Sequence, residues 1–230
     1  MPKEVWVMSI DLSNSEYSAA IEQYLNGKWN EARVAFEALA NRFPEDHFIP
    51  LLLGNIKYSL GRLEESIGHY RDAIAMKPDF GNAYYKLGVC LYRCGRLEEG
   101  LAAFMKVMQL RDQSHAMASY FVGLINHLLG SDPAALEGFT SLRRISPESK
   151  IANFYLAQLK MKERKYDEAL ELLNELASAA PNLAEVHYML GSAQFRLHNN
   201  TEAIKSYRRT LELNPEDNRA RSVLELLIDV

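Results

Sequence analysis

The sequence predicts an all-α fold in which helix pairs stack along the chain, and three observations lead to this prediction. A small residue returns at intervals of 34 or 35 residues. Each interval holds two apolar-periodic stretches separated by a turn signal, and most intervals close with a proline. Such periods characterise repeat proteins, in which each repeat buries its apolar face against its neighbours. The small residues are Ala20, Gly54, Gly88, Gly123, Ala157 and Gly191.

Residues 47–80 show how one repeat is built. An apolar-periodic run through Leu53 breaks at Gly61, resumes through Tyr70 and stops before Pro78. Glycine suits the tight turn between two helices, and proline lacks the N–H that would continue a helix. The repeat is therefore predicted to be a helix, a turn and a second helix.

The same punctuation recurs in most repeats. The turn glycines are Gly27, Gly61, Gly95 and Gly130, and the closing prolines are Pro44, Pro78, Pro147, Pro181 and Pro215. Arg164 and His198 stand where the last two repeats would have their turn glycine. Each second helix also places a small residue four positions before a large one, which lets close-packed helices interlock. The large residues are Phe36, Tyr70, Phe104, Phe139, Leu173 and Tyr207.

These features resemble the tetratricopeptide repeat (TPR) family: Leu-Gly in the first helix, glycine at the turn, Glu-Ala, an aromatic residue four positions on, and a closing proline. The resemblance covers about residues 13–217 and implies a right-handed α-solenoid of antiparallel helix pairs. An N-terminal segment, 1–12, precedes the repeats. Residues 218–230 are predicted to form a capping helix, because Glu225 stands where a seventh copy would need its small residue. The six repeats are 13–46, 47–80, 81–114, 116–149, 150–183 and 184–217.

The pattern breaks after the third repeat. Asp112 replaces the expected proline, His115 is an inserted residue, and Gly100 and Gly138 flank the junction. Glycine weakens a helix, so this break predicts either a hinge between two three-repeat halves or a simple adjustment of register.

Composition and charge exclude several classes of partner. The chain has 230 residues, of which 48% are hydrophobic and 24% are charged, as in a folded protein. Its net charge of −4 offers no positive excess for nucleic acid, so neither DNA nor RNA binding is expected. The apolar run before Leu12 is too short for a membrane span or a signal sequence. We therefore expect a cytoplasmic protein, unless a leader has been removed.

No sequence motif points to catalysis. The six histidines include no H-E-x-x-H, and the chain has no phosphate-binding glycine loop and no acidic run at metal-binding spacing. Cys90 and Cys94 share one helical face, but two thiols do not complete a structural zinc site, and we expect them to pack as small apolar groups. The sequence thus predicts a protein without enzymatic activity, cofactor or metal.

The TPR resemblance also implies a binding surface. In the family, the fifth, ninth and twelfth residues of each first helix point into a concave groove. Tyrosine is common in the fifth and twelfth slots, so it indicates either a binding surface or family habit. The ninth slots are less expected, because apolar residues stand where asparagine is frequent, and exposed apolar patches mark interaction sites. The fifth-slot residues are Tyr17, Leu51, Tyr85, Tyr120, Phe154 and Tyr188; the ninth-slot residues are Ile21, Asn55, Val89, Leu124 and Gln158; the twelfth-slot residues are Tyr24, Tyr58, Tyr92, His127, Met161 and Phe195.

Two recognition modes of the family are not reproduced. The Lys, Asn and Arg clamp for carboxylates is missing, since Lys86 and Arg93 are isolated cations. The asparagine ladder of the sugar-transferring members is missing too. The chain instead resembles members that hold an extended or helical peptide of another protein in apolar pockets. We therefore predict an adaptor, scaffold or chaperone subunit; the alternative is a homo-oligomer assembled through the same groove or the N-terminal segment.

The N-terminal segment is apolar for a free tail, with Val5, Trp6, Val7, Ile10 and Leu12. Packing on the first repeat is one interpretation. The other is that Trp6 docks into the groove of the same or another copy, because tryptophan is a frequent interface anchor.

Overall fold

The computed structural model describes residues 14–110 and 115–228, and these residues form α-helices with no β-strand. The all-α prediction is confirmed. The predicted N-terminal segment lies outside the described residues, as do residues 111–114 at the break in the pattern. The helices are α1 (Ser15–Leu25), α2 (Trp29–Arg42), α3 (Phe48–Ser59), α4 (Leu63–Met76), α5 (Gly81–Arg93), α6 (Leu97–Gln109), α7 (His115–Leu128), α8 (Asp132–Ile145), α9 (Lys150–Lys162), α10 (Tyr166–Ala179), α11 (Ala184–Arg196), α12 (Asn200–Leu213) and α13 (Asn218–Ile228).

The chain divides into two compact units, an N-terminal unit of residues 1–118 and a C-terminal unit of residues 119–230. In the N-terminal unit, consecutive helices from α1 to α6 pack on one another. In the C-terminal unit, consecutive helices from α8 to α13 do the same, and α7 packs on α8 at Gly123. Each unit therefore builds its core from neighbouring helices, as a repeat sequence requires.

The predicted tight turns between paired helices adopt a left-handed backbone, which favours glycine. The four turn glycines have φ of 72° to 75°. Arg164 and His198, which replace glycine in the last two repeats, have φ of 61°. A side chain makes this conformation costly, because Cβ approaches the following carbonyl oxygen. The last two repeats therefore keep the same turn as the others at a cost in stability.

Replacing Arg164 with glycine should stabilise the protein by about 0.5–1 kcal/mol, because relief of the left-handed strain exceeds the extra chain entropy that glycine loses on folding. Urea denaturation followed by circular dichroism measures the change. Arg208→Gly, in the exposed interior of α12, is the matched control and should cost about 1 kcal/mol. If both substitutions destabilised the protein equally, the left-handed backbone at Arg164 would not be a source of strain.

Paired helices interlock through a small residue of the first helix and a large residue sixteen positions later. A Cβ built on Gly54 would lie 2.5 Å from the Tyr70 ring, and one built on Gly123 would lie 2.8 Å from the Phe139 ring. The ring of each second helix thus lies directly against the glycine backbone of the first. This contact explains the period of the small residues noted in the sequence, which is a packing requirement.

Candidate functional site

The seventeen residues predicted for the groove differ in their exposure. Tyr17 and Leu51 are buried, with 3% of each accessible, whereas Phe195 is 39% exposed. The remaining fourteen residues are partly buried. Most of the predicted slots therefore reach the surface, but two of them do not.

Tyr17 and Leu51 are core residues in this structure. The Tyr17 hydroxyl donates a 3.0 Å hydrogen bond to Asp46 Oδ2, and its ring lies edge-on to Phe36. Burial raises the pKa of Tyr17, and the Asp46 carboxylate raises it further. Leu51 belongs to a cluster with Tyr70 and other core residues of the N-terminal unit. The fifth slot alone therefore does not make a residue available to a partner.

Two other predicted tyrosines of the N-terminal unit, Tyr24 and Tyr58, contact side chains of the same unit. Tyr24 lies edge-on to Trp29 at 5.6 Å between ring centroids. The Arg93 guanidinium carbon lies 4.9 Å from the Tyr58 ring centroid, a cation–π contact. Burial raises the pKa of Tyr24 and of Tyr85 and lowers the pKa of Lys86. These side chains form a partly desolvated surface in which aromatic rings already have partners.

An apolar cleft of about 340 Å³ lies in the C-terminal unit. Side chains of α7, α9, α10 and α11 line it, together with residues of the turn before α11. Seven of the nine lining residues are aromatic or aliphatic, so the cleft is suited to an apolar side chain. The lining residues are Tyr120, Lys150, Ile151, Phe154, Tyr155, Leu176, Ala180, Leu183 and Glu185.

The Tyr155 ring in the cleft wall packs against three other rings. Its ring stacks on Phe139 with centroids 4.5 Å apart and an angle of 3° between the planes. Edge-on contacts with His127 at 5.5 Å and Phe154 at 5.6 Å complete its surroundings. Because Phe139 is fully buried, the wall is continuous with the core of the unit. A cleft built on core residues is pre-formed for a ligand.

The rim of the cleft, in contrast, exposes apolar surface to solvent. Ile151 is 51% exposed and Leu183 is 45% exposed. Single exposed apolar residues are ordinary, but two that border the same apolar cleft indicate a binding surface.

Two charged residues also border the cleft, and their surroundings differ. Glu185 pairs with the Arg219 guanidinium at 2.7 Å. That guanidinium also binds Asp217 at 2.8 Å and lies 4.1 Å from the centroid of the Tyr188 ring. Its contacts lower the pKa of Asp217 and raise that of Arg219 itself. Lys150 donates a 2.7 Å hydrogen bond to the Ala179 carbonyl oxygen and forms no ion pair with the described residues.

The structure therefore brings together only part of the predicted set. Tyr120 and Phe154, both fifth-slot residues, line the cleft. Leu124 and Met161 pack against the same core as Tyr120 and Phe154 but do not line the cleft, and the Arg219 guanidinium lies over the Tyr188 ring.

Residues outside the predicted slots complete the cleft. Ile151 and Glu185 are the second residues of their repeats, and Leu183 is the last residue of its repeat. One sequence signal for Ile151 was available: it is the second residue of α9 and lies three residues before Phe154, so the two side chains share a helix face. The position of Ile151 relative to Phe154, in addition to its residue type, would have identified it as a cleft residue.

Two further findings concern other possible sites. Among the described residues, no helix is both long and apolar enough to cross a membrane. Cys90 is buried and Cys94 partly buried, and both thiols are free. Burial raises the pKa of Cys90 to about 11, so this thiol stays protonated at neutral pH.

Comparison with known families agrees with the repeat structure. Models of the TPR repeat and the tetratricopeptide repeat match residues 17–46, 54–95, 81–114, 133–192 and 160–227. The chain belongs to the tetratricopeptide repeat family. TPR proteins are modules that bind other proteins, and their fold is typically a non-catalytic scaffold.

Curated TPR relatives are much longer than this chain. Anaphase-promoting complex subunit 3 of Schizosaccharomyces pombe is 24% identical over 144 residues, which are 63% of this chain and 22% of that protein. The human protein O-mannosyl-transferase TMTC3 is 28% identical over 162 residues, which are 66% of this chain and 17% of that protein. The chain thus spans about a fifth of the length of these relatives.

Solved TPR structures show the same fold over most of the chain. The structure of YrrB, described as a TPR protein with an unusual peptide-binding site, has a TM-score of 0.75 at 19% identity and covers 83% of this chain and 98% of its own. PilF of Pseudomonas aeruginosa has a TM-score of 0.67 at 16% identity, with 91% and 95% covered. At these identities the likeness concerns the fold.

Proposed function

We propose that this TPR protein acts as a non-catalytic adaptor or scaffold that binds a peptide segment of another protein, and that the apolar cleft of the C-terminal unit is its main recognition site. One observation carries the proposal: the exposed rim residues Ile151 and Leu183 border a cleft whose walls are apolar. A partner's side chain that enters the cleft would bury this surface, which favours binding by the hydrophobic effect.

The size of the cleft favours a short peptide anchor over a large flat interface. A volume of about 340 Å³ is at the lower end of the range for ligand sites. It accommodates one bulky side chain, such as leucine or phenylalanine, with its flanking backbone. Tyr120, Phe154 and Tyr155 offer stiff contact area at small entropic cost. Of the other predicted residues, the exposed Phe195 and the partly buried Leu124 are proposed as secondary contacts, whereas the buried Tyr17 and Leu51 are not.

Replacing Ile151 with asparagine should weaken peptide binding about tenfold, because the cleft rim then loses apolar area that the bound peptide would bury. The peptides are chosen by selecting a phage-displayed library of random nine-residue peptides on the wild-type protein. Fluorescein-labelled copies are then titrated with each protein, and anisotropy gives the dissociation constants. Asparagine near the start of α9 is compatible with the helix, so the variant should fold.

Ile145→Asn is the matched control, because Ile145 is 44% exposed on α8 and does not line the cleft. It should bind the peptides like the wild type. Equal losses in both variants, or no loss in either, would contradict the proposal. Light scattering tests the alternative occupant: a dimer that Ile151→Asn dissociates would identify a second copy of the chain as the ligand.

A further inference from the structure

We propose that the cleft selects peptides with an acidic residue one or two positions from the apolar anchor, and that Lys150 binds this acidic side chain. The inference rests on the proposed function and adds the chemical class of the partner: a segment that joins a bulky apolar side chain to a carboxylate. Its basis is the Lys150 charge at the cleft rim, which has no carboxylate partner among the described residues.

The two charges that line the cleft are not equivalent. The Glu185 carboxylate is already paired with Arg219, at 2.7 and 3.3 Å. Asp217, the second carboxylate on that guanidinium, also accepts hydrogen bonds from the backbone N–H groups of Arg219 and Ala220. These donors belong to the positive N-terminal end of α13, which offsets the Asp217 charge. The Glu185 side of the rim therefore leaves little free charge for a ligand.

Lys150 precedes Ile151 in α9 and has no carboxylate partner among the described residues. It is exposed, lines the cleft and forms no ion pair among residues 14–110 and 115–228. Its hydrogen bond to Ala179 O holds the ammonium at the C-terminal end of α10. A helix C-terminus carries only about half a negative charge, so the compensation is partial.

The bond to Ala179 also positions the ammonium for a ligand. An ammonium group has three N–H donors, and this contact uses one of them. The other two are available to a carboxylate of a bound peptide. Because Lys150 and Ile151 both line the cleft, a peptide that places its apolar side chain on Ile151 would bring an acidic neighbour one or two residues away within reach of Lys150.

The test uses the peptides selected on the wild-type protein. We expect Asp or Glu to be enriched one or two positions from Leu, Ile, Phe or Met. Changing that acidic residue to its amide should weaken binding to the wild type about fivefold, as expected for a partly exposed ion pair. The same change should not weaken binding to the Lys150→Met variant, which keeps the aliphatic part of the side chain and lacks the charge. This double-mutant cycle separates a direct ion pair from an indirect effect.

Charge reversal sharpens the test. Lys150→Glu should bind the acidic peptide about tenfold more weakly and prefer the peptide whose acidic residue is replaced by lysine. Arg208→Glu changes the net charge equally on α12, away from the cleft lining, and should leave both affinities unchanged. Circular dichroism of each variant checks that it folds.

The outcomes distinguish the two proposals. If no peptide is selected, or if Ile151→Asn binds the peptides as tightly as the wild type does, the proposed function is wrong. If apolar peptides bind through the cleft without acidic preference, or with a preference that Lys150→Met retains, the proposed function stands and this inference is overturned.

Discussion

Replacing Gly138 with alanine should lower the free energy of unfolding by about 3 kcal/mol. A Cβ at this position would lie 2.5 Å from the Gly123 backbone nitrogen and 2.7 Å from the Gly123 Cα atom. These atoms belong to the backbone of α7, so the methyl group cannot be relieved by a change of rotamer. The two helices must separate, which opens the interface around Phe139. Urea denaturation measures the loss.

Two other glycines provide a graded control. A Cβ on Gly100 would lie 3.3 Å from two backbone atoms of α5, so Gly100→Ala should cost less than Gly138→Ala. Gly68 is exposed on α4 and has no atom within 4 Å of the added group. Gly68→Ala should therefore stabilise the protein by about 0.5–1 kcal/mol, since alanine is the better helix former. If Gly138→Ala behaved like Gly68→Ala, the close approach of α7 and α8 would be wrong.

Replacing Phe139 with alanine should cost about 3–5 kcal/mol, the usual range for a fully buried phenylalanine. The ring fills the space over Gly123 and stacks on Tyr155, so its removal leaves a cavity in the core and an unsupported cleft wall. We therefore expect two measurable losses, one in urea denaturation and one in peptide affinity under conditions in which the variant is folded.

Phe139→Leu is the matched control, because leucine occupies the equivalent position, 173, of the next repeat, where it is fully buried. It should cost about 1 kcal/mol, because most of the apolar volume is kept. A decrease in the free energy of unfolding below about 1 kcal/mol for Phe139→Ala would contradict this, because it would show that α7 and α8 close the cavity and that the ring is not needed for stability.

The repeat pattern was sufficient to predict the helices and their turns. Gly61 and Pro78 act through local backbone geometry, which is readable without knowledge of distant contacts. Arg164 and His198 were correctly placed at turns because the period, and not the residue type, located them. Gly138 was harder to interpret: helix propensity marks it as a weak point, whereas the structure shows a close helix contact there.

The candidate site was less predictable, because exposure depends on neighbours outside the helix. Tyr17 and Phe154 occupy the same slot in two repeats, yet Tyr17 is buried against Phe36 and Asp46 while Phe154 borders a cleft. Lys150 forms no ion pair among the described residues, and Glu185, which lines the same cleft, pairs with Arg219, 34 positions away. The position of a residue within its repeat predicts neither the burial of Tyr17 nor the ion pair of Glu185.

The most direct test of recognition through the cleft is a methyl NMR titration with the highest-affinity selected peptide. The protein carries ¹³C-labelled methyl groups on isoleucine and leucine. We expect saturable shifts of the methyl signals of Ile151 and Leu183, the exposed rim residues, and no shift of Ile145 on α8. Shifts confined to residues of the N-terminal unit, with Ile151 and Leu183 unmoved at saturation, would contradict it.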